Sequence, residues 1–201
     1  MTQRQQRAQQ TRDRLFTAAC ELFVAKGYAG TTVDSIAARA GVAKGTFFVH
    51  FKTKDAVATQ LIANQTSATR RARDKAVAKG GSPVDAMVAT VLTLGKQAGA
   101  SRMLSRAVLA ATLESGEVAG DSTKLFEEIR ALLVADAQAA RRAGLVAKRV
   151  EPERLAVALL TSYLGAVYAF ATDPGSVPLV EGLTPLVEAT LEAARPVLAG
   201  R

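Results

Sequence analysis

Tryptophan is absent from this chain, cysteine and histidine occur once each, as Cys20 and His50, and proline only six times. Each scarcity removes a class of protein. A lone cysteine cannot close an intramolecular disulfide, so a stapled extracellular scaffold is excluded and a thiol in a reducing compartment is expected. One histidine and one cysteine cannot furnish the nitrogen and sulfur ligand set of a zinc site, and no Ser-His-Asp grouping or phosphate-cradling glycine loop accompanies them. Glu127, Glu128 and Asp136 are spaced as an ordinary solvated helix face leaves them. No metal, no cofactor and no enzymatic activity are expected.

Apolar runs are scarce as well. The opening MTQRQQRAQQTRDR is polar and basic without a hydrophobic stretch, which argues against a secretory leader and for a cytoplasmic protein. Leu155–Thr172 is free of charge for long enough to approach the roughly 18 residues of a membrane-spanning helix. Thr161, Ser162, Tyr163 and Gly165 lower its apolarity, so the expectation is a helix buried in a subunit interface and no membrane partner.

What the sequence has is alanine, a hydrophobic content of 49%, and apolar residues recurring near period 3.6, which predicts an all-α protein. It also has a lopsided charge. Of the formal net +8, the segment up to Lys54 carries nine Lys/Arg against three Asp/Glu, residues 55–81 carry five against two, and the remainder twelve against thirteen. A basic head on a near-neutral body points to a polyanion-binding module joined to one with another task, because phosphate neutralisation is the sequence-independent part of nucleic-acid affinity.

The pattern predicts a helix from about Gln9 to Lys26, with Phe16 and Phe23 on its inner face and Gly27 ending it. A short second helix follows, capped from Thr31 or Thr32 with Asp34 completing a capping box, and Gly41 stops it. A third runs from Lys44 to Phe51 with Phe47 and Phe51 one turn apart, turned inward, and a fourth from Lys54 to about Lys79. Beyond Gly80-Gly81-Ser82-Pro83 the body reads as helices near Pro83–Ala100, Ser101–Glu114, Ser122–Ala143, Pro152–Thr172 and Thr184–Leu198.

Two short helices around a glycine-containing turn, the second exposing small and polar residues beside basic flanks, have the form of a helix-turn-helix. The order LFVAKGY, then TTVDSIAARAGVAKGTFFVHF, then Lys54, resembles the N-terminal signature of the TetR family over roughly residues 12–62. That resemblance implies an N-terminal three-helix helix-turn-helix DNA-binding domain, residues 1–54, and a C-terminal helical ligand-binding and dimerisation domain, residues 55–201. It implies that Ala43, Lys44, Gly45, Thr46 and Val49 face base edges or the groove floor of double-stranded operator DNA. Phe48, His50 and Lys54 would meet the sugar-phosphate backbone together with Thr32 and Val33 at the second helix's N-terminus. Phe48 and Val49 stand where the family often has tyrosines, so phosphate anchoring falls on the lysines, His50 and backbone amides, and apolar contact with thymine methyls becomes available. Arg4, Arg7, Arg12 and Arg14 suit an arm adding phosphate contacts, or a solvated tail.

The resemblance further implies a homodimer through the last two helices and a cavity for a small lipophilic or amphipathic effector, with Met87, Val91, Met103, Phe126, Ile129, Tyr163 and Tyr168 as candidate lining and Arg102, Arg106 or Glu114 setting its charge preference. The expected function is a repressor released from its operator by that effector. A helical architectural protein binding DNA without sequence preference, and a helical small-molecule binder without regulatory DNA binding, are the alternatives.

Overall fold

The computed structural model describes residues 2–196, and among the described residues it contains nine α-helices and no strand. They are α1 (Gln3–Lys26), α2 (Val33–Arg39), α3 (Lys44–His50), α4 (Lys54–Ala78), α5 (Pro83–Gly99), α6 (Arg102–Glu114), α7 (Gly116–Arg142), α8 (Pro152–Thr172) and α9 (Leu179–Ala193). The expected end of the last helix at Leu198 lies outside the described residues. The chain divides into two compact units, one of Met1–Ile62 with Met103–Ser122, the other of Ala63–Arg102 with the chain from Thr123 on.

In the first unit, Leu15, Ala19, Leu22 and Phe23 of α1 meet Ile36 of α2, Phe47 of α3, Phe51 and Val57 in a core whose members are almost wholly buried. Phe16, expected inside, is only half-buried. Gly27 takes φ +74° at the end of α1 and Gly41 φ +66° after α2, a left-handed backbone that a side chain would strain. The cap of α2 differs from expectation: the Thr32 side chain accepts from Ser35 N and Ser35 Oγ from Thr32 N, whereas Thr31 is buried and its hydroxyl donates to Gly27 O at 2.8 Å. Asp34 is thereby left free for another contact.

Three helices begin earlier than the apolar pattern shows. α1 starts at Gln3 because Thr2 and Gln5 form a reciprocal capping box ahead of any apolar residue. α7 starts at Gly116, where Ser115 Oγ accepts from Val118 N. α9 starts at Leu179 with Pro185 inside it, and the burial of Leu179, Leu183 and Val187 along one face offsets the hydrogen bond that proline cannot donate.

In the second unit α5 packs against α8 and α9, and α8 against α9. Gly95 permits the approach: a Cβ there would lie 2.6 Å from Leu183 Cδ2. Arg73 grips the buried Asp136 through Nε at 2.8 Å and Nη2 at 2.5 Å. Arg102 donates to the carbonyls of Phe170, Asp173 and Ser176 and lies 4.3 Å over the Phe170 ring. Its guanidinium is thus spent closing the α8–α9 corner, because the last carbonyls of α8 have no helical partner. It is not held free to set a ligand's charge. α8 is long and apolar enough to cross a membrane by length and composition, yet Leu155, Leu159, Tyr163, Val167 and Phe170 on one of its faces are buried within the fold.

Candidate nucleic-acid interface

The backbone of α3 is fixed by Phe47 and Phe51, whose rings lie 5.8 Å apart in the head core. With those two residues directed inward, the helical repeat turns Gly45 and Val49 outward and Phe48 to the flank, while Lys44, on the inner side by spacing, is exposed because it opens the helix. Phe48 is 50% exposed and Val49 78% exposed, two adjacent large apolar side chains beside the exposed Lys44. Gly45 has open space where a Cβ would be, so nothing in the fold demands glycine there, while a polymer laid against α3 could approach its backbone closely. Ala43 and Thr32, the N-caps of α3 and α2, are also exposed, Val33 and Thr46 are half-buried, and both helix starts leave backbone N–H groups available to an anion.

Electrostatics trims the candidate set. Lys44 Nζ lies 2.9 Å from Asp34 Oδ2, both groups well exposed, so the pair contributes little to stability but restricts where the ammonium points. Lys54 is turned inward: its Nζ donates to Tyr28 O at 2.9 Å and sits 4.1 Å over the Tyr28 ring. His50 is half-buried and its carbonyl accepts from Arg12 Nη1 at 2.6 Å. Arg12 also donates to Gln60 Oε1 at 2.7 Å and stacks 4.3 Å over Phe51. It is an anchor between α1, the end of α3 and α4, not an arm residue.

A second cluster in the same unit was not legible from spacing. Asp55, in the first turn of α4, accepts from Tyr28 Oη and from Ser115 Oγ, and Thr59 donates to Asp121 at 3.3 Å. The start of α4 is therefore tied both to the end of α1 and to the corner between α6 and α7. Burial, then the bond to Asp55, pushes the Tyr28 phenol well above its ordinary range. Among the described residues no group of His, Cys, Asp and Glu suited to a metal ion occurs.

The segment that builds this surface, residues 15–61, matches the sequence profile of the bacterial regulatory proteins of the tetR family. This segment is therefore similar to the N-terminal domain of that family. Over 55 residues it is 49% identical to the transcriptional regulator TcmR of Streptomyces glaucescens, a match spanning 27% of this chain and 24% of that protein. The curated relatives matched over this segment are spanned by the chain over 16% to 43% of their own lengths. A longer match, to the transcriptional repressor DhaR of a Mycobacterium species, has 24% identity over 185 residues, covering 90% of this chain and 92% of the relative. Among solved structures, FadR of Thermus thermophilus, a TetR-family transcriptional repressor in complex with lauroyl-CoA, superposes with a TM-score of 0.65 at 26% identity, covering 94% of this chain and 98% of that one.

The body residues expected to line a cavity fall into two groups. Met87, Val91, Ile129 and Tyr163 are buried in the second unit, with Phe126, half-buried, 6.3 Å from the Tyr163 ring. Desolvation there pushes the Tyr163 phenol upward. Tyr168 is 65% exposed, and Met103, in the first unit, is exposed too, so neither stands within that enclosed group. A cleft of about 620 Å³ in the second unit is lined by others, among them Val84, Val88, Leu145, Pro185, Glu188 and Arg195.

Proposed function

We propose that the chain is a cytoplasmic, homodimeric repressor that reads operator DNA with α3 and releases it when a small lipophilic or amphipathic molecule binds the body. The observation that carries this reading is the outward face of α3: a basic residue, a glycine and two exposed apolar side chains on a helix held by a buried aromatic pair, inside a domain matching the tetR profile. Lys44 is the reading residue, donating to guanine O6 or N7, with Phe48 and Val49 against thymine methyls and the N-terminal turns of α2 and α3 on phosphates. DNA binding is assigned to residues 1–54, effector binding and dimerisation to residues 55–201.

The dimer reading is supported by Val157, Leu164 and Tyr168, which are exposed on α8 and one face by helical spacing, with exposed Leu186 on α9 and open space at Gly165. Reading successive major grooves through such a two-fold dimer requires two copies of α3 about 34–36 Å apart. The effector reading is supported by the apolar interior around Met87, Val91, Ile129 and Tyr163 and by the acyl-CoA carried by the Thermus relative. Because that interior is closed, ligand entry must part it, which is how binding would favour a second body geometry.

Fluorescence anisotropy against DNA from upstream of the chain's own gene, beside a scrambled duplex, tests this. Tight binding to the native sequence, relieved by an acyl-CoA or a similar apolar molecule, is expected. Equal weak binding to both duplexes would favour the architectural reading instead.

A further inference from the structure

The first third of α1 has no core to join. Residues 2–10 are exposed throughout, no acidic residue precedes Asp13, and Asp13 itself accepts from Gln9 Nε2 at 2.7 Å. A polar segment of this length would not hold a helix alone, because nucleation outweighs the few bonds gained. Here it propagates from the packed stretch between Leu15 and Phe23 and is closed at its start by the Thr2–Gln5 box, so the helix projects as a rigid overhang. Arg12 fixes the root of that overhang against His50 O, Phe51 and Gln60, beside the end of α3.

At about 100° per residue, Arg4, Arg7 and Arg14 fall within about a quarter-turn of one another, over a rise of about 15 Å. Among the described residues nothing pairs with their guanidinium groups. Lys52, just past α3, is exposed as well. Such a strip lacks the apolar residues that would seat a helix in a lipid surface, and glutamines fill the positions between its charges.

We infer that the overhang of α1 is a phosphate rail: Arg4, Arg7 and Arg14 grip the DNA backbone outside the base pairs read by α3. The inference rests on the operator-binding reading above. Planar guanidinium groups on a rigid strip suit phosphate oxygens, and contacts of this kind strengthen binding to every sequence equally.

The test uses the full chain, wild type and Arg4→Gln/Arg7→Gln/Arg14→Gln, titrated by anisotropy across a salt series. The probes are the native upstream duplex and a mixed-sequence duplex of about 30 base pairs, enough for two half-sites with flanks. The triple variant should lower the slope of log affinity on log salt by about 2 to 3 per protomer, or about 5 for a bound dimer, near 0.9 per lost phosphate contact. The loss should be equal on both duplexes, with an unchanged melting temperature, and the corresponding triple Lys variant should restore most of it. An unchanged slope and affinity would overturn the rail, as would a lowered melting temperature that accounts for the loss. If the slope falls as expected but Lys44→Ala leaves the native and mixed sequences bound as before, the rail stands and the sequence-reading role fails. A wild type that binds neither duplex sinks both.

Discussion

The two compact units solve different packing problems. The head closes a small core with aromatic residues, Phe23, Tyr28, Phe47 and Phe51, around Leu15 and Ile36, and leaves large side chains such as Val49 outside. The second unit closes a larger core with leucine, valine, alanine and glycine-mediated approach, and joins its corners with arginines, Arg73 on Asp136 and Arg102 on the α8 carbonyls. Phe48 and Val49, adjacent and exposed on α3, form the apolar part of the surface proposed to meet DNA. Exposure on α8 reads the same way only because it is a stripe.

Removing Phe47, fully buried in the head, should break the comparison most sharply. Phe47→Ala is expected to cost about 3–5 kcal/mol, enough to unseat α3 and abolish DNA binding while much of the helical circular dichroism persists. Loss of both together would mean that the units do not fold separately.

On the body side, Arg73→Ala strands the Asp136 carboxylate, which is 4% exposed. A destabilisation of about 2–3 kcal/mol is expected in urea melts, below the range for a fully buried pair because Arg73 itself is partly solvated. A cost near zero would show that water replaces the guanidinium.

Lys44→Ala should reverse the pattern, sparing stability because its partner Asp34 is exposed, and weakening operator binding by about 5- to 150-fold, the 1–3 kcal/mol of a base contact. An unchanged ratio of native to scrambled affinity would remove Lys44 from sequence reading.

The smallest effect concerns Cys20, whose thiol burial pushes from 9.0 up to about 11. The folded chain holds this proton more tightly than the unfolded one, so the stabilisation is full below 9.0 and is lost as pH rises through about 11. Cys20→Ala should flatten that part of the alkaline decline, leaving the part due to Tyr28, which has the same sign at higher pH. Identical alkaline melting profiles for the two proteins would show that the thiol is solvated in the native state.

Much of the head was legible because its signals are local. Gly27 and Gly41 end helices where the chain needs a left-handed residue, and the Phe47–Phe51 spacing tells which face of α3 is left over. Contacts between residues far apart in sequence gave no such signal. Nothing in the spacing announces that Asp55 holds both Tyr28 and Ser115, that Lys54 turns back onto Tyr28, or that Arg12 belongs to the scaffold while Arg4 and Arg7 do not. Helix starts fixed by polar caps, at Thr2 and Ser115, were missed because apolar periodicity registers only buried faces.

Sequence by itself determined the all-helical architecture, the basic head, the helix-turn-helix and its outward residues, since period, capping and charge act over a few neighbouring positions. Tertiary structure decided which cations are free and which are bound, which body residues close into a core, and that Arg102 staples a corner. Those outcomes depend on partners that the chain brings together only by folding, and an arginine's role is set by what lies within reach of its guanidinium.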